Sequence, residues 1–451
     1  MKGLYMKYIF LFSVLLKGVG ALLEIVLQIM ITHKMGVSGY GSYTAWISAA
    51  DLVFWVCFSG LIKCNTFYLS GRNVSIGQFK RKYAFLYVLP VLGILAAVGV
   101  TEAFAVVIPL ITALELMVLD RSSTMLAHGR NGASVAGEYV LGRSVLVVGV
   151  ALLGYMERLN HQTLLVLYCV QYLVILVFFY VFGGRENKSC IDISKEVSLR
   201  KWGAFQRSDL MHSMIEQMPV VLQYLFSGAF EAGVVSIVLL VKKLINFISG
   251  PTAKVFLPEF SRLYHAGEHR EIRRSYGDIM RIQMLVVSPL TVVLLGFPGV
   301  IIKILAPELS GYTGIFQLCS VIFLAAAALG PCGGVLQMTE HERQDNRCRG
   351  GALLAMLLVM VHFRSDPYFV LYGLCTQAAV EAAAKYICIC KWMKGSPIGI
   401  KEYILWWVLP GTVIIGVYIL DWSGSFAAMV SSAGSVFLLT LLYEFLRRKG
   451  E

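Results

Sequence analysis

LFSVLLKGVGALLEIVLQIMI, residues 11–31, is an apolar run long enough to cross a bilayer. A membrane helix needs about 20 such residues. Lys17 and Glu24 nevertheless sit inside it. Even on a lenient insertion scale, a charge at the bilayer centre costs about 2.5–3.5 kcal/mol. Two such charges need a place to go. Gln28 follows Glu24 by four residues, so the three polar positions share one helical face.

The rest of the chain repeats the apolar theme. It has 451 residues, of which 57% are hydrophobic and 15% charged. A soluble domain is nearer a quarter charged. The composition predicts an all-α polytopic membrane protein, and the net charge of +12 need not imply a nucleic-acid partner. The first apolar run is too long for a signal-peptide core of about 7–15 residues, so no cleavable leader is expected. The ten cysteines show no framework spacing, and Cys388-x-Cys390 reads as two small apolar residues on a helix.

Apolar segments fall near 8–32, 42–69, 83–101, 103–120, 138–156, 162–182, 208–228, 232–256, 282–305, 313–337, 350–363, 368–390, 403–420 and 426–446. That makes about fourteen transmembrane helices, with 350–363 the shortest. Placing the N-terminus in the cytoplasm puts 29 of the 39 Lys and Arg in inside segments, three in outside loops and seven within spans. The positive-inside rule therefore sets both termini inside. The outside loops are short, which disfavours a membrane polymerase or ligase. No GxxxxGK[ST] phosphate loop and no HExxH are present, so no enzyme activity and no bound cofactor are expected.

An internal repeat appears at an offset of 192. GVSGYGSY (36–43) aligns with GAFEAGVV (228–235), sharing Gly-x-x-x-x-Gly. At the same offset Lys17 meets Asp209, Glu24 meets Glu216 and Asp51 meets Lys243. The expected organisation is two pseudo-symmetric six-helix lobes, 1–182 and 208–393, around a central cavity. A basic cytoplasmic linker, 183–207, joins them. An extra pair with a basic tail, 394–451, has no charge in its apolar cores and faces lipid.

The intramembrane charge is concentrated. Lys17, Lys63, Lys242, Lys243 and Lys254, with Arg207 at the mouth, are the candidate binders of a phosphate or diphosphate, for which Lys acts as a point charge. Glu24, Asp51, Asp209 and Glu216 are candidate counterions or carriers of a coupling H⁺ or Na⁺. Gln28, His212, Gln223, Glu381 and Lys385 are further polar positions, the last two spaced for an i,i+4 ion pair. The third, fifth, sixth, ninth and last two spans carry almost no charge.

The first turn and its sequel, THKMGVSGYGSYTAWISAADLVFW (32–55), resemble Wzx-like polysaccharide-export flippases of the multidrug/oligosaccharidyl-lipid/polysaccharide (MOP) superfamily. Those proteins typically carry Leu-Gly-x-x-x-Tyr-Gly-x-Tyr there. GAFEAGVVSIVLLVKKLINFISGPTAKVFLPEFSRLYHAGEH (228–269) is similar to the second-lobe signature, with its Pro-x-Phe/Leu-Ser-Arg ending. The resemblance covers roughly 1–345. It implies alternating-access transfer of a polyprenyl-diphosphate-linked oligosaccharide between leaflets of a bacterial or archaeal cytoplasmic membrane. Its partners would be the lipid-linked glycan, the bilayer, a polysaccharide polymerase and glycosyltransferases. The sister lipid II flippases have cavity cations on helices one, two and eight, at positions matching Lys17, Lys63 and Lys242 or Lys243, although arginine is common there. A cation-coupled small-molecule or multidrug exporter on the same fold, or a lipid II flippase, stays open as the alternative.

Overall fold

A computed structural model describes residues 2–72, 74–75, 107–127, 130–182, 191–192 and 199–450. Among the described residues the regular structure is helical apart from Val74–Ser75, which pairs in parallel with Ile191–Asp192. A helix occupies every expected span except 83–101, which lies outside the described residues. Among the described residues, seven helices are long and apolar enough to cross a membrane.

The first two spans are one helical run, Lys2–Arg72, broken at Gly36 (φ 72°, ψ 173°) into α1 (2–35) and α2 (37–72). A side chain at positive φ costs about 1–2 kcal/mol, so glycine supplies the break. Then come α3 (Val107–Ala127), α4 (131–155) and α5 (His161–Phe182). α4 contains a π-helical segment at Ala136–Leu141. α6 joins Leu199–Glu216 to Met218–Ser227, and Gly228 (φ 104°) separates it from α7 (Ala229–His265). Gly36 and Gly228 are 192 residues apart, the offset of the expected repeat, and each breaks its helix at positive φ.

The second half runs through α8 (His269–Thr291), a π segment, α9 (Pro298–Leu305), α10 (Thr313–Ala328), α11 (Cys332–Met338), α12 (Glu342–His362), α13 (Phe369–Trp392), α14 (Ile400–Ile419) and α15 (Phe426–Gly450). One expectation is corrected here. The short span 350–363 is the outer part of a 21-residue helix, Glu342–His362. Its inner turns carry Glu342, Arg343, Asp345, Arg347 and Arg349, so hydropathy alone cut it short.

The chain divides into two compact units, Met1–Gly233 and Val234–Glu451. In the first, α5 packs on α3 and α4, burying Leu164, Leu165, Ile175 and Phe179 to 1% exposure or less. In the second, Val292, Phe297 and Val300 form a cluster with Val417, Met429 and Val436 of α14 and α15. Arg281 of α8 pins the start of α14: its Nε lies 2.7 Å from Glu402 Oε1 and its Nη2 donates to Oε2 at 3.1 Å. The outer end of α14 is held by Tyr418, whose hydroxyl donates to the Leu295 carbonyl at 3.0 Å. The last pair is less charge-free than expected, because Glu444 is buried on α15. Its remaining surface is apolar and exposed, including Ile404, Val408, Ile415, Leu438 and Leu442.

Candidate functional site

α1 has two contrasting faces. Leu15, Val19, Leu22 and Val26 are all exposed. At 100° per residue, Lys17, Gly20, Glu24 and Gln28 lie on the other side, and that side turns into the first unit. What it meets there is the π segment of α4. A β-carbon at Gly20 would lie 2.6 Å from the Tyr139 carbonyl oxygen and 2.9 Å from Tyr139 Cβ. Only glycine lets the two backbones approach so closely.

This close approach builds two rungs between α1 and α4. In one, Lys17 Nζ sits 5.1 Å from the centre of the Tyr139 ring, a cation–π contact worth about 0.5–2 kcal/mol. Glu138, hydrogen-bonded to Ser122, lies within electrostatic reach of the same lysine. In the other, Arg143 Nε is 2.6 Å from Glu24 Oε2. Both of these side chains keep about a third of their surface exposed (30% and 34%). The expectation that the fifth span is nearly uncharged is therefore wrong. Glu138 and Arg143 are in it, and Arg143, one of the 29 cations counted inside, is a helix residue whose charge answers Glu24.

Behind the rungs, Tyr40, Tyr43, Tyr168 and Tyr172 are buried. The Tyr168 ring lies 6.3 Å from Tyr43 and 5.2 Å from Tyr172, edge to face in both cases. Beyond them Asp51 accepts a hydrogen bond from Gln217 Nε2 at 3.2 Å. Its charge is also felt by Glu115 of α3. Glu115, 7% exposed, was not anticipated. Its Oε2 lacks a hydrogen-bond partner, as do Gln28 Nε2 and Gln171 Oε1. A buried unsatisfied polar atom costs about 1–3 kcal/mol, so such atoms mark positions that water or a ligand completes.

The second unit holds a separate group. Lys242 is 9% exposed, with Nζ 5.9 Å from the Phe323 ring centre. Its neighbour Lys243 is exposed. Successive helical residues point about 100° apart, so Lys242 is the inward member. Lys385 is buried between two carboxylates, 2.7 Å from Asp345 Oδ1 and 2.6 Å from Glu381 Oε1. Arg349 Nε lies 3.5 Å from Glu381, Gln337 donates to Asp345 at 2.9 Å, and Gln377 donates to Glu381. The Glu381–Lys385 pair thus forms as its spacing suggests, within a larger network that includes Asp345.

Of the other positions, Arg207 and His212 are exposed, Glu216 is half-buried and Gln223 is fully buried. Lys63, Asp209 and Lys254 lie outside the residues whose side chains are described. Among the described residues, no three His, Cys, Asp or Glu are grouped to hold a metal ion.

The fold has known counterparts. Lipid II flippase MurJ in an inward closed conformation superposes over 97% of this chain and 99% of its own, with TM-score 0.68 and 11% identity. The chain has a MOP-type transporter fold. An outward-facing multidrug resistance MATE family transporter of the MOP superfamily matches over 86% of this chain and 95% of its own, with TM-score 0.56 and 12% identity. A MOP superfamily transporter from Pyrococcus furiosus, with a binding pocket of reverse polarity, matches to the same extent. No family model and no curated protein matches the sequence. The chain thus shares the fold of these transporters, and seven of its described helices are long and apolar enough to cross a membrane.

Proposed function

We propose that this protein is a flippase that moves a polyprenyl-diphosphate-linked oligosaccharide, a polysaccharide repeat unit, from the inner to the outer leaflet of a bacterial or archaeal cytoplasmic membrane. The observation that carries the reading is the pair of cations, Lys17 and Arg143, on facing helices of the first unit. Lys242 adds a buried cation in the second unit. Several cations among apolar helices suit a diphosphate headgroup, whose polyprenyl tail can stay in lipid. The near-complete superposition on a lipid flippase supports a lipidic substrate. Glycosyltransferases and a polymerase would act before and after it.

A second reading, a cation-coupled small-molecule exporter, is favoured by one feature, the carboxyl pair of half-buried Asp51 and buried Glu115. Two carboxyl groups that sense each other bind a proton or a small cation readily. In the flippase reading the same pair is the proposed seat of a coupling H⁺ or Na⁺. Deleting the gene in its host separates the two. A flippase predicts that a lipid-linked glycan accumulates in the inner leaflet while surface polysaccharide falls. Normal surface polysaccharide with raised drug sensitivity favours the exporter.

A further inference from the structure

We infer that Arg143 is a diphosphate-binding residue and that Glu24 is its resident competitor, displaced when substrate enters. This deepens the flippase reading and rests on its choice of a diphosphate.

The argument starts from two arginine–glutamate pairs in one molecule. Arg281 and Glu402 meet through two aligned N–H···O bonds, with side chains only 15% and 14% exposed. That is a fork-to-fork clamp, built to stay closed. Arg143 and Glu24 meet differently. Their closest approach is Arg143 Nε to Glu24 Oε2, and that oxygen makes no aligned hydrogen bond despite the 2.6 Å separation. Both side chains are about a third exposed. The guanidinium has five donors, and the remaining ones face no carboxylate or carbonyl among the described residues. The pair is formed by charge, its side chains are partly exposed although Glu24 Oε2 is buried, and it is unsaturated.

The surroundings point to an anion of higher charge than a carboxylate. Lys17 stands one rung away, over the Tyr139 ring and within electrostatic reach of Glu138, so a second cation lies beside Arg143. A diphosphate carries more charge and more acceptor oxygens than Glu24, and it can engage the free N–H groups of Arg143 in the bidentate manner that suits guanidinium. Glu24 also keeps Arg143 compensated when the site holds no substrate.

The test uses the purified full-length protein in nanodiscs, with farnesyl diphosphate as probe and inorganic pyrophosphate as the headgroup alone. Glu24→Gln removes the competitor and should tighten binding about threefold to tenfold. Arg143→Gln should weaken it about tenfold or more, and the double variant should behave like Arg143→Gln. If Glu24→Gln weakens binding as much as Arg143→Gln does, the pair is structural and the inference fails. Should either variant not fold, the wild type decides. Pyrophosphate should shield Arg143, but not Arg281, from phenylglyoxal, read by peptide mass spectrometry. Unchanged reactivity of Arg143 at every pyrophosphate concentration overturns the inference. Arg143-dependent diphosphate binding in a protein whose deletion leaves lipid-linked glycans unchanged would sink the glycan reading and leave this one standing. Glycan accumulation on deletion, with binding indifferent to Arg143, would do the reverse.

Discussion

Lys385 shows what a buried charge demands. Its ammonium sits between Asp345, 1% exposed, and Glu381. Removing one partner of such a group leaves an uncompensated charge, at a cost of about 3–5 kcal/mol. Lys385→Ala should therefore lower the thermal stability of the detergent-solubilised protein by about that much. Lys385→Ala combined with Asp345→Asn should recover part of the loss, and a purely additive double variant would refute the coupling. At this scale the sequence was half legible. The i,i+4 spacing of Glu381 and Lys385 and the one-faced stripe of Lys17, Glu24 and Gln28 follow from helical periodicity. Asp345 did not, because it lies in the charged inner turns of α12 that hydropathy assigns to a loop. Arg143 was hidden by the positive-inside rule itself, which absorbs any arginine near a span boundary. Glu115 gave no pattern to read, because its neighbour Asp51 comes from another element.

Among elements, the α1–α4 contact depends on a single missing side chain. Gly20→Val would drive a branched side chain into the Tyr139 backbone, part both rungs and abolish transport. Membrane insertion should persist, as checked by membrane-fraction blotting beside a transport assay; full activity would show the approach to be dispensable. The two turn glycines carry a different load. Gly36→Ala and Gly228→Ala each place a side chain at positive φ, so each should destabilise by about 1–2 kcal/mol. A null effect at either position, measured by denaturation, would mean that its turn relaxes to negative φ. α14 is fastened at both ends, by Glu402 and by Tyr418. Glu402→Gln should cost about 1.5–3 kcal/mol, the usual worth of a hydrogen bond to a charged group, visible as a lower melting temperature of the full chain. Helix existence was readable almost throughout from apolar length. The π segment in α4 was not, since nothing in AGEYVL distinguishes it from an ordinary helical turn.

For the whole molecule, the fold class came from composition and the repeat, and the apolar helices with their MOP-type neighbours agree with it. Orientation rests on 29 inside cations against three outside. A reporter fused after Glu451 should report a cytoplasmic C-terminus, and a periplasmic signal would invert the assignment. The second glycines of the repeat, Gly41 and Gly233, add something else. A β-carbon at Gly41 would collide with the Ala229 carbonyl and lie 2.5 Å from the Gly233 nitrogen. One at Gly233 would collide with the Val37 carbonyl and lie 2.7 Å from Val37 Cγ1. Val37 and Ala229 are themselves repeat partners. The first copy thus touches the second just as the second touches the first, the reciprocity of an isologous dimer. Gly41→Ala and Gly233→Ala should therefore disturb one and the same contact, each from its own side.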